Sequence, residues 1–457
     1  MDFPHEFITR TQQLLKENYP TLEEALQKEA PVSIRINPAK TTHLLRYEKV
    51  NWCNTGYYLP QRPAFTFDPL FHAGCYYVQE ASSMFLEQAV KQYINTPVNC
   101  LDLCAAPGGK STHLLSILPH GSLLVSNEVI RNRSVILAEN MAKWGSPYAI
   151  VTNNDPKEIG NLTHVFDLIV ADLPCSGEGM FRKDKESRNE WSIANVQLCA
   201  GRQRRIILDV WNALKPGGIL IYSTCTFNRE ENEENIQYLT ETLQAEILPV
   251  SVDDKWFIHP AIQADFPVYR FFPHQTKGEG FFLAALRKPD EKQIQLSFKK
   301  KSARQTDSIP KELSQWLKPE ESFQIISSGT IFRAIPDSYS EAYQIFTNAL
   351  RVISAGMLLG EKKGKDLIPA PVMALNTAFN QNAFPTTSLT WEEAIRFLQK
   401  EALILPHDVP KGFVTVTYRN QPIGFVKNIG NRANNLYPQE WRIRSKQLPE
   451  NKPEICC

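Results

Sequence analysis

Between Val98 and about Arg287 the chain alternates short apolar runs with stretches of helical spacing, and this alternation restricts its fold more than any other feature. Strands are expected at 98–103, 123–127, 148–152, 167–171, 219–223 and 280–286, with helices such as 131–143 and 200–214 between them. That order predicts an α/β fold: a mostly parallel sheet with helices on both faces. Such sheets bind ligands outside the carboxyl ends of their strands, where the strand order reverses. The first βα turn, Cys104-Ala105-Ala106-Pro107-Gly108-Gly109-Lys110, belongs at that place.

At 457 residues the chain is too long for one ordinary domain. Residues 1–95 read as a small α+β module, with helical spacing from Phe7 to Asn18 and an alternating run Val32-Ser33-Ile34-Arg35-Ile36-Asn37 that stops at Pro38. Residues 96–290 read as the main α/β domain. The basic break Lys299-Lys300-Lys301-Ser302-Ala303-Arg304 reads as a linker within 291–400, a segment without a usable motif. Residues 401–457 read as a β module with strands at 413–418 and 423–427. A charge of +1 means that nucleic-acid binding must come from local patches. From Lys411 to Lys446 there are seven cations (Lys411, Arg419, Lys427, Arg432, Arg442, Arg444, Lys446) against one acid, Glu440, interleaved with Tyr418, Phe425, Tyr437 and Trp441. Cations suit phosphate and aromatics suit unpaired bases. A second basic run, Arg182 to Arg205, fits an RNA channel or a solvated helix face equally well. No apolar run reaches the roughly 18 residues that cross a bilayer, and the first residues are not a signal peptide. A cytoplasmic monomer without membrane contact is expected, its nine cysteines mostly free. None is spaced as CxxC, and no metal is expected.

The glycine-rich turn is neither GxGxxG nor GxxxxGK[ST], which disfavours a dinucleotide and a P-loop phosphate site. A single nucleoside-like cofactor remains. Glu128 ends the second strand, where a carboxylate takes both ribose hydroxyls. Asp155 follows the third, where an acid or amide reads an adenine amino group. These positions suit S-adenosylmethionine; taken singly, each acid also reads as a loop solvator or helix cap.

Two thiols reach the same rim. Cys175 lies in Leu173-Pro174-Cys175-Ser176-Gly177-Glu178-Gly179 and Cys225 in Tyr222-Ser223-Thr224-Cys225-Thr226, each after a strand-like run. Free cysteines are usually small buried hydrophobes. Two at strand-end turns beside a cofactor loop point instead to covalent chemistry. Carbon 5 of a pyrimidine is too weak a nucleophile to take a methyl group unaided. A thiolate that adds to carbon 6 activates it, a base then removes the carbon 5 proton, and the thiol leaves. Such a thiolate needs a polar, electropositive pocket. Lys110 offers positive charge, and Asp172 is placed to accept from the amino edge of cytosine. Cys53, Cys75, Cys100 and Cys199 have no such setting and read as structural.

At these motifs the chain resembles the NOL/NOP/Sun family of RNA cytosine-5 methyltransferases, and within it the bacterial members that act on small-subunit ribosomal RNA. Further matches are Arg35-Ile36-Asn37, Tyr77-Val78-Gln79-Glu80-Ala81-Ser82-Ser83, Arg270-Phe271-Phe272-Pro273-His274 and Gly278-Glu279-Gly280-Phe281-Phe282. The likeness spans about residues 30–290 and is weaker from Gly424 to Trp441. It implies a Rossmann-like S-adenosylmethionine-dependent sheet, an N-terminal ferredoxin-like, RNA-recognition-type module and a C-terminal PUA-like RNA-binding module. It assigns Cys225 as the nucleophile and Cys175 as the residue that assists product release. Cofactor contacts carried over are Cys104, Ala105, Ala106, Pro107, Gly108, Gly109, Lys110, Glu128, Arg133, Asp155 and Asp172. The implied substrate is 16S ribosomal RNA, free or in the small subunit. Transfer RNA or 23S ribosomal RNA keeps the chemistry with another RNA, and a non-catalytic assembly factor is the rival from another class. The acceptor of the carbon 5 proton is not evident from the sequence.

Overall fold

The computed structural model describes residues 3–41, 45–290 and 309–456; the basic break 299–304 lies outside them. Helices His5–Leu15 and Tyr19–Gln27 precede strands β1 (Val32–Ile36), β2 (Gly56–Leu59) and β3 (Tyr76–Val78). These pair antiparallel in the order β2-β1-β3, three described strands where a complete ferredoxin-like sheet has four. Pro38 ends β1 because it has no amide to donate and restricts the residue before it.

The central sheet follows the expected alternation. Strands β4 (Asn99–Asp102), β5 (Leu123–Asn127), β6 (Ala149–Thr152), β7 (Phe166–Asp172) and β8 (Leu214–Thr224) run parallel, with β4 between β5 and β7. The chain winds outward from β4 to β6, then returns to β7 on the other side. The strand order therefore reverses at the carboxyl end of β4, where the glycine-rich turn lies. Strands β9 (Glu246–Leu248), β10 (Tyr269–Phe271) and β11 (Phe281–Arg287) complete one edge antiparallel.

The other edge departs from the expected layout. After β12 (Phe323–Ser328) and β13 (Ile331–Pro336), strand β14 (Val352–Ala355) pairs antiparallel with β6, so the segment 291–400 lends a strand to the central sheet. Four residues carry too little periodicity to be assigned by pattern. Their pairing covers an edge that would otherwise expose unpaired amides and carbonyls. Strands β15 (Met357–Lys363) and β16 (Asp366–Pro369) join β12 and β13 in a separate sheet.

Side chains alternate across the central sheet as the period of two requires. Cys100, Leu168, Val170 and Ile221 face a layer holding helices Leu86–Tyr93, Gly109–Ile117 and Arg131–Trp144. Leu101, Ile169, Ala171 and Leu220 face helices Ile193–Val210, Glu233–Leu243 and Ser340–Ala349.

Strands β17 (Thr386–Ser388), β18 (Gly412–Tyr418), β19 (Gln421–Asn428) and β20 (Ala433–Asn435) make the C-terminal sheet, beside the amphipathic helix Trp391–Leu398. Its core is continuous with that of the N-terminal module: Ile34, Tyr57, Phe65 and Tyr76 pack in one cluster with Trp391, Phe397, Val414 and Tyr437. Trp391 Nε1 donates to Phe67 O at 2.9 Å and Gln421 Nε2 to Lys40 O at 2.8 Å. The two ends of the chain thus form one body against the central sheet.

Candidate active site at the carboxyl rim of the sheet

The glycine-rich turn leaves β4 and enters helix Gly109–Ile117 through Gly108, whose φ of +116° lies where side-chained residues are rarely found. The Ala106-Pro107 peptide bond is cis. Helix Arg131–Trp144 holds the turn from outside: Arg133 Nη2 donates to Ala106 O at 2.8 Å and Asn140 Nδ2 to Pro107 O at 2.7 Å. Glu128, buried at the end of β5, accepts from Ile130 N at 2.9 Å and lies 3.5 Å from Arg133 Nη1. Asp155 is exposed and caps helix Pro156–Gly160, accepting from Lys157 N at 3.0 Å, while Glu158 returns a bond to its amide. The expected adenine-reading acid is thus also a helix cap. Asn127, Asn153 and Asn154, which the sequence reading passed over, knit the ends of β5 and β6 together.

Asp172 ends β7 beside the turn. Lys110 Nζ reaches its Oδ2 at 2.8 Å, and Ser223 Oγ from the neighbouring β8 donates to its Oδ1 at 2.7 Å. Lys110 also lies over the Phe281 ring at 5.2 Å. Burial works against its charge, but Asp172, Asp102 and Cys225 more than offset this and hold its pKa above the ordinary value. Asp102, fully buried, accepts from Ser111 Oγ at 2.6 Å while its Oδ1 has no partner among the described residues; burial pushes its carboxyl up to about 7. The sequence reading missed Asp102, although its place at the end of the first strand was a usable signal.

Cys175 and Cys225 meet because β7 and β8 are adjacent and parallel, so their turns open on the same side. The two Sγ atoms are 3.0 Å apart, and Cys225 N lies 3.4 Å from Cys175 Sγ. The hydrogen bond with Cys225, then burial, push the Cys175 thiol well above its ordinary pKa. Gly179 N donates to Cys225 O at 2.9 Å; a Cβ at Gly179 would fall 2.7 Å from Gly280 O and 2.8 Å from Cys225 O, so only glycine fits. Glu178 is buried and accepts from Trp191 Nε1, Phe227 N and Asn228 N at 2.7–3.0 Å. Glu231, also missed from sequence, sits behind Cys175.

Other motif residues lie away from the rim. Arg35 is buried over Trp144, with Nε on Gln79 Oε1 at 2.8 Å and Nη2 on Thr112 Oγ1 at 2.6 Å, fixing the N-terminal sheet to the helix after the glycine-rich turn. Arg270 is buried on Glu233, with Nε on Oε1 at 2.6 Å and Nη1 on Phe227 O at 2.7 Å. Of the second basic run, Arg182 pairs with Glu279, Arg188 is buried on Phe181 O, and Arg204 bonds Asn235 and stacks on Tyr238. Cys53, Glu87 and His113 are buried with ligand-type atoms within 4.8 Å of one another. Glu87 accepts from His113 Nε2 at 3.1 Å and from Lys91 Nζ at 2.6 Å, and burial moves Cys53 up to about 12 and His113 down to about 4. The cluster is thus a neutral thiol and imidazole around a carboxylate already paired with lysine.

On the C-terminal module Lys411, Arg419, Arg432, Arg442, Arg444 and Lys446 are exposed. Arg419 pairs with Glu454 at 3.2 Å, and Lys427 lies 3.5 Å from Asp366 and over the Phe413 ring. Tyr437 and Phe425 are core residues, not surface platforms.

Residues 93–287 match the 16S rRNA methyltransferase RsmB/F family, residues 3–81 the N-terminal domain of 16S rRNA methyltransferase RsmF, and residues 384–443 the methyltransferase RsmF PUA domain. Ribosomal RNA small subunit methyltransferase F of Vibrio campbellii is 30% identical over 97% of this chain and 98% of its own length. The protein of that name from Escherichia coli O157:H7 is 31% identical over 98% of each. Among solved structures, a methyltransferase homolog protein from Pyrococcus horikoshii is 28% identical with a TM-score of 0.54, covering 63% of this chain and 95% of that one. NSun6 from Pyrococcus horikoshii with SFG, at 20% identity and a TM-score of 0.55 over 63% of this chain and 99% of its own, shares the fold. The chain belongs to the RsmB/F family of 16S ribosomal RNA methyltransferases, with a Rossmann-like catalytic sheet and a C-terminal PUA domain.

Proposed function

We propose that the chain methylates carbon 5 of specific cytosines in 16S ribosomal RNA, with S-adenosylmethionine as donor and a covalent bond between Cys225 and carbon 6. The observation that carries this reading is the pair of thiols 3.0 Å apart at the ends of adjacent strands, with the Lys110–Asp172 pair beside them. S-adenosylmethionine supplies an electrophilic methyl group. The residues suited to hold it are the turn from Cys104 to Lys110, Glu128 with Arg133, Asp155 and Asp172. The left-handed Gly108, the amides opening helix Gly109–Ile117 and the buried Glu128 carboxylate fit a nucleoside with an anionic tail.

Cys225 adds to carbon 6 as the thiolate, and Lys110 offsets the charge that passes to the base. Asp172 retains lone pairs beyond those used by Lys110 and Ser223, and with its side chain 36% exposed it can accept from the cytosine amino group. Cys175, in contact with Cys225, assists release. The cytosine must be unpaired or flipped for its carbons 5 and 6 to reach this rim. Lys411, Arg419, Lys427, Arg432, Arg442 and Arg444 hold RNA on the PUA face. The protein acts as a cytoplasmic monomer without a metal.

Labelled methyl transfer to unmodified small subunits and to their free RNA, with nucleosides identified by mass spectrometry, tests the reading. It requires 5-methylcytidine. Another methylated nucleoside refutes the chemistry, and transfer to transfer RNA alone refutes the substrate.

A further inference from the structure

Behind the thiol pair lies a buried carboxylate that the chemistry above leaves unused. Glu231 is fully buried, six residues after Cys225. Its oxygens accept from Ser176 N at 3.1 and 3.3 Å, Gln203 Nε2 at 2.7 Å and Asn228 Nδ2 at 2.8 Å. Gln203 Nε2 also donates to Pro174 O at 3.0 Å. Asn228 Nδ2 reaches Thr226 Oγ1 at 2.9 Å. The network therefore holds both neighbours of Cys175, and it touches the residue that follows Cys225. All these donors are neutral.

The titratable groups that face Glu231 are Glu178 from the Ser-Gly-Glu turn, Cys175, Cys199 from helix Ile193–Val210 and Tyr222 from β8. Tyr222 OH donates to the Glu231 carbonyl at 2.5 Å. Burial, with Glu178 adding to it, raises the Glu231 carboxyl to about 7 against the bonds from Ser176 and Asn228. A buried acid held by three neutral donors is costly to build unless its charge or its bonds are used.

We infer that Glu231 is a positioning residue that acts through Cys175: it fixes the Pro174-Cys175-Ser176 turn against Cys225. This rests on the proposed cytosine-5 reaction. In the release step a solvent water at the open rim acts as base and takes the carbon 5 proton, and the electrons of the carbon 5–hydrogen bond form the carbon 5–carbon 6 double bond. Those of the carbon 6–Sγ bond leave on Cys225, and the Cys175 proton is in contact to meet that sulfur. A Cys175 turn that drifts slows release without preventing attack.

The test uses full-length Glu231→Gln and Cys175→Ala with small-subunit RNA and S-adenosylmethionine. First-turnover methyl transfer, steady-state turnover and covalent protein–RNA adduct on denaturing gels are read together. Glu231→Gln is expected to keep first-turnover transfer within about threefold, lose about tenfold or more in turnover and accumulate adduct, as Cys175→Ala does. The double variant adds nothing further. Should Glu231→Gln fail to fold, Gln203→Met, which removes the bonds to Glu231 and Pro174 O together with those from Tyr222 and Asn235, gives the same pattern at smaller size. Loss of first-turnover transfer together with adduct overturns the inference, as does adduct in Cys175→Ala alone. Absence of adduct and of 5-methylcytidine from every variant and from wild type overturns the reaction itself, and the inference with it.

Discussion

The rim of the central sheet and the two arginine clamps hold their polar side chains under opposite rules. Arg35 and Arg270 are sealed from solvent, with their guanidinium nitrogens bonded to Gln79, Thr112 and Ser116 in one case and to Glu233 and Phe227 O in the other. At the rim, Asp102 keeps an unpartnered oxygen, Asp172 is partly exposed, and Cys175 is held far from its ordinary pKa. Buried polar groups that are satisfied specify structure, whereas those left short of partners or shifted mark chemistry. Both kinds stand in motifs shared with the family, so resemblance alone does not separate them.

The largest effect expected is on activity without stability. Cys225→Ala removes the sulfur proposed to attack, and methyl transfer should fall by about 10³-fold or more while urea unfolding shifts by less than about 1.5 kcal/mol. A comparable loss of stability would place Cys225 with the clamps. The converse substitution, Arg270→Met, leaves Glu233 buried without its cation and should cost about 3–5 kcal/mol in unfolding free energy. Transfer per folded molecule should stay within about threefold. A folded, stable Arg270→Met protein without activity would move Arg270 to the rim.

Asp102 sharpens the comparison through pH. In the folded chain it holds its proton to about 7, against 3.8 when unfolded. Between those values the folded state keeps a proton that the unfolded state has released, so this contribution to stability is present below about pH 4 and lost as pH rises through 7. Asp102→Asn should remove that slope. Between pH 5 and 8 the wild type should lose on the order of 2 kcal/mol more than the variant in urea titrations. Parallel curves would mean that Asp102 is satisfied in solution. The smallest effect belongs to the PUA face: replacing Arg442, Arg444 and Lys446 by serine should weaken RNA binding by about tenfold and flatten the salt dependence by about two counterions. An unchanged salt slope in filter binding would take these three cations out of the RNA path.

The central sheet was legible because parallel strands buried on both faces leave continuous apolar runs, and the turn from Cys104 to Lys110, Cys175 and Cys225 was legible because their positions follow from strand ends. Strand β14 was hidden by its length and by the roughly 200 residues between it and its partner β6. Glu231 was hidden for a different reason: a single acid in a sequence carries no sign of burial, and only packing reveals that it faces the Cys175 turn, whereas the strand-end place of Asp102 was open to view. The fused core of the two chain ends joins Tyr57 to Trp391 and has no local signature at all. In the C-terminal patch, composition overstated the aromatics, since Phe425 and Tyr437 are spent on the core.

The central claim is that Cys225 forms the bond to carbon 6. Small-subunit RNA carrying 5-fluorocytidine, whose carbon 5 substituent cannot leave as a proton, should trap that adduct in the presence of S-adenosylmethionine. Mass spectrometry of the digested complex should find the nucleotide on the peptide containing Cys225. A nucleotide on the Cys175 peptide, or none on either, would contradict the account.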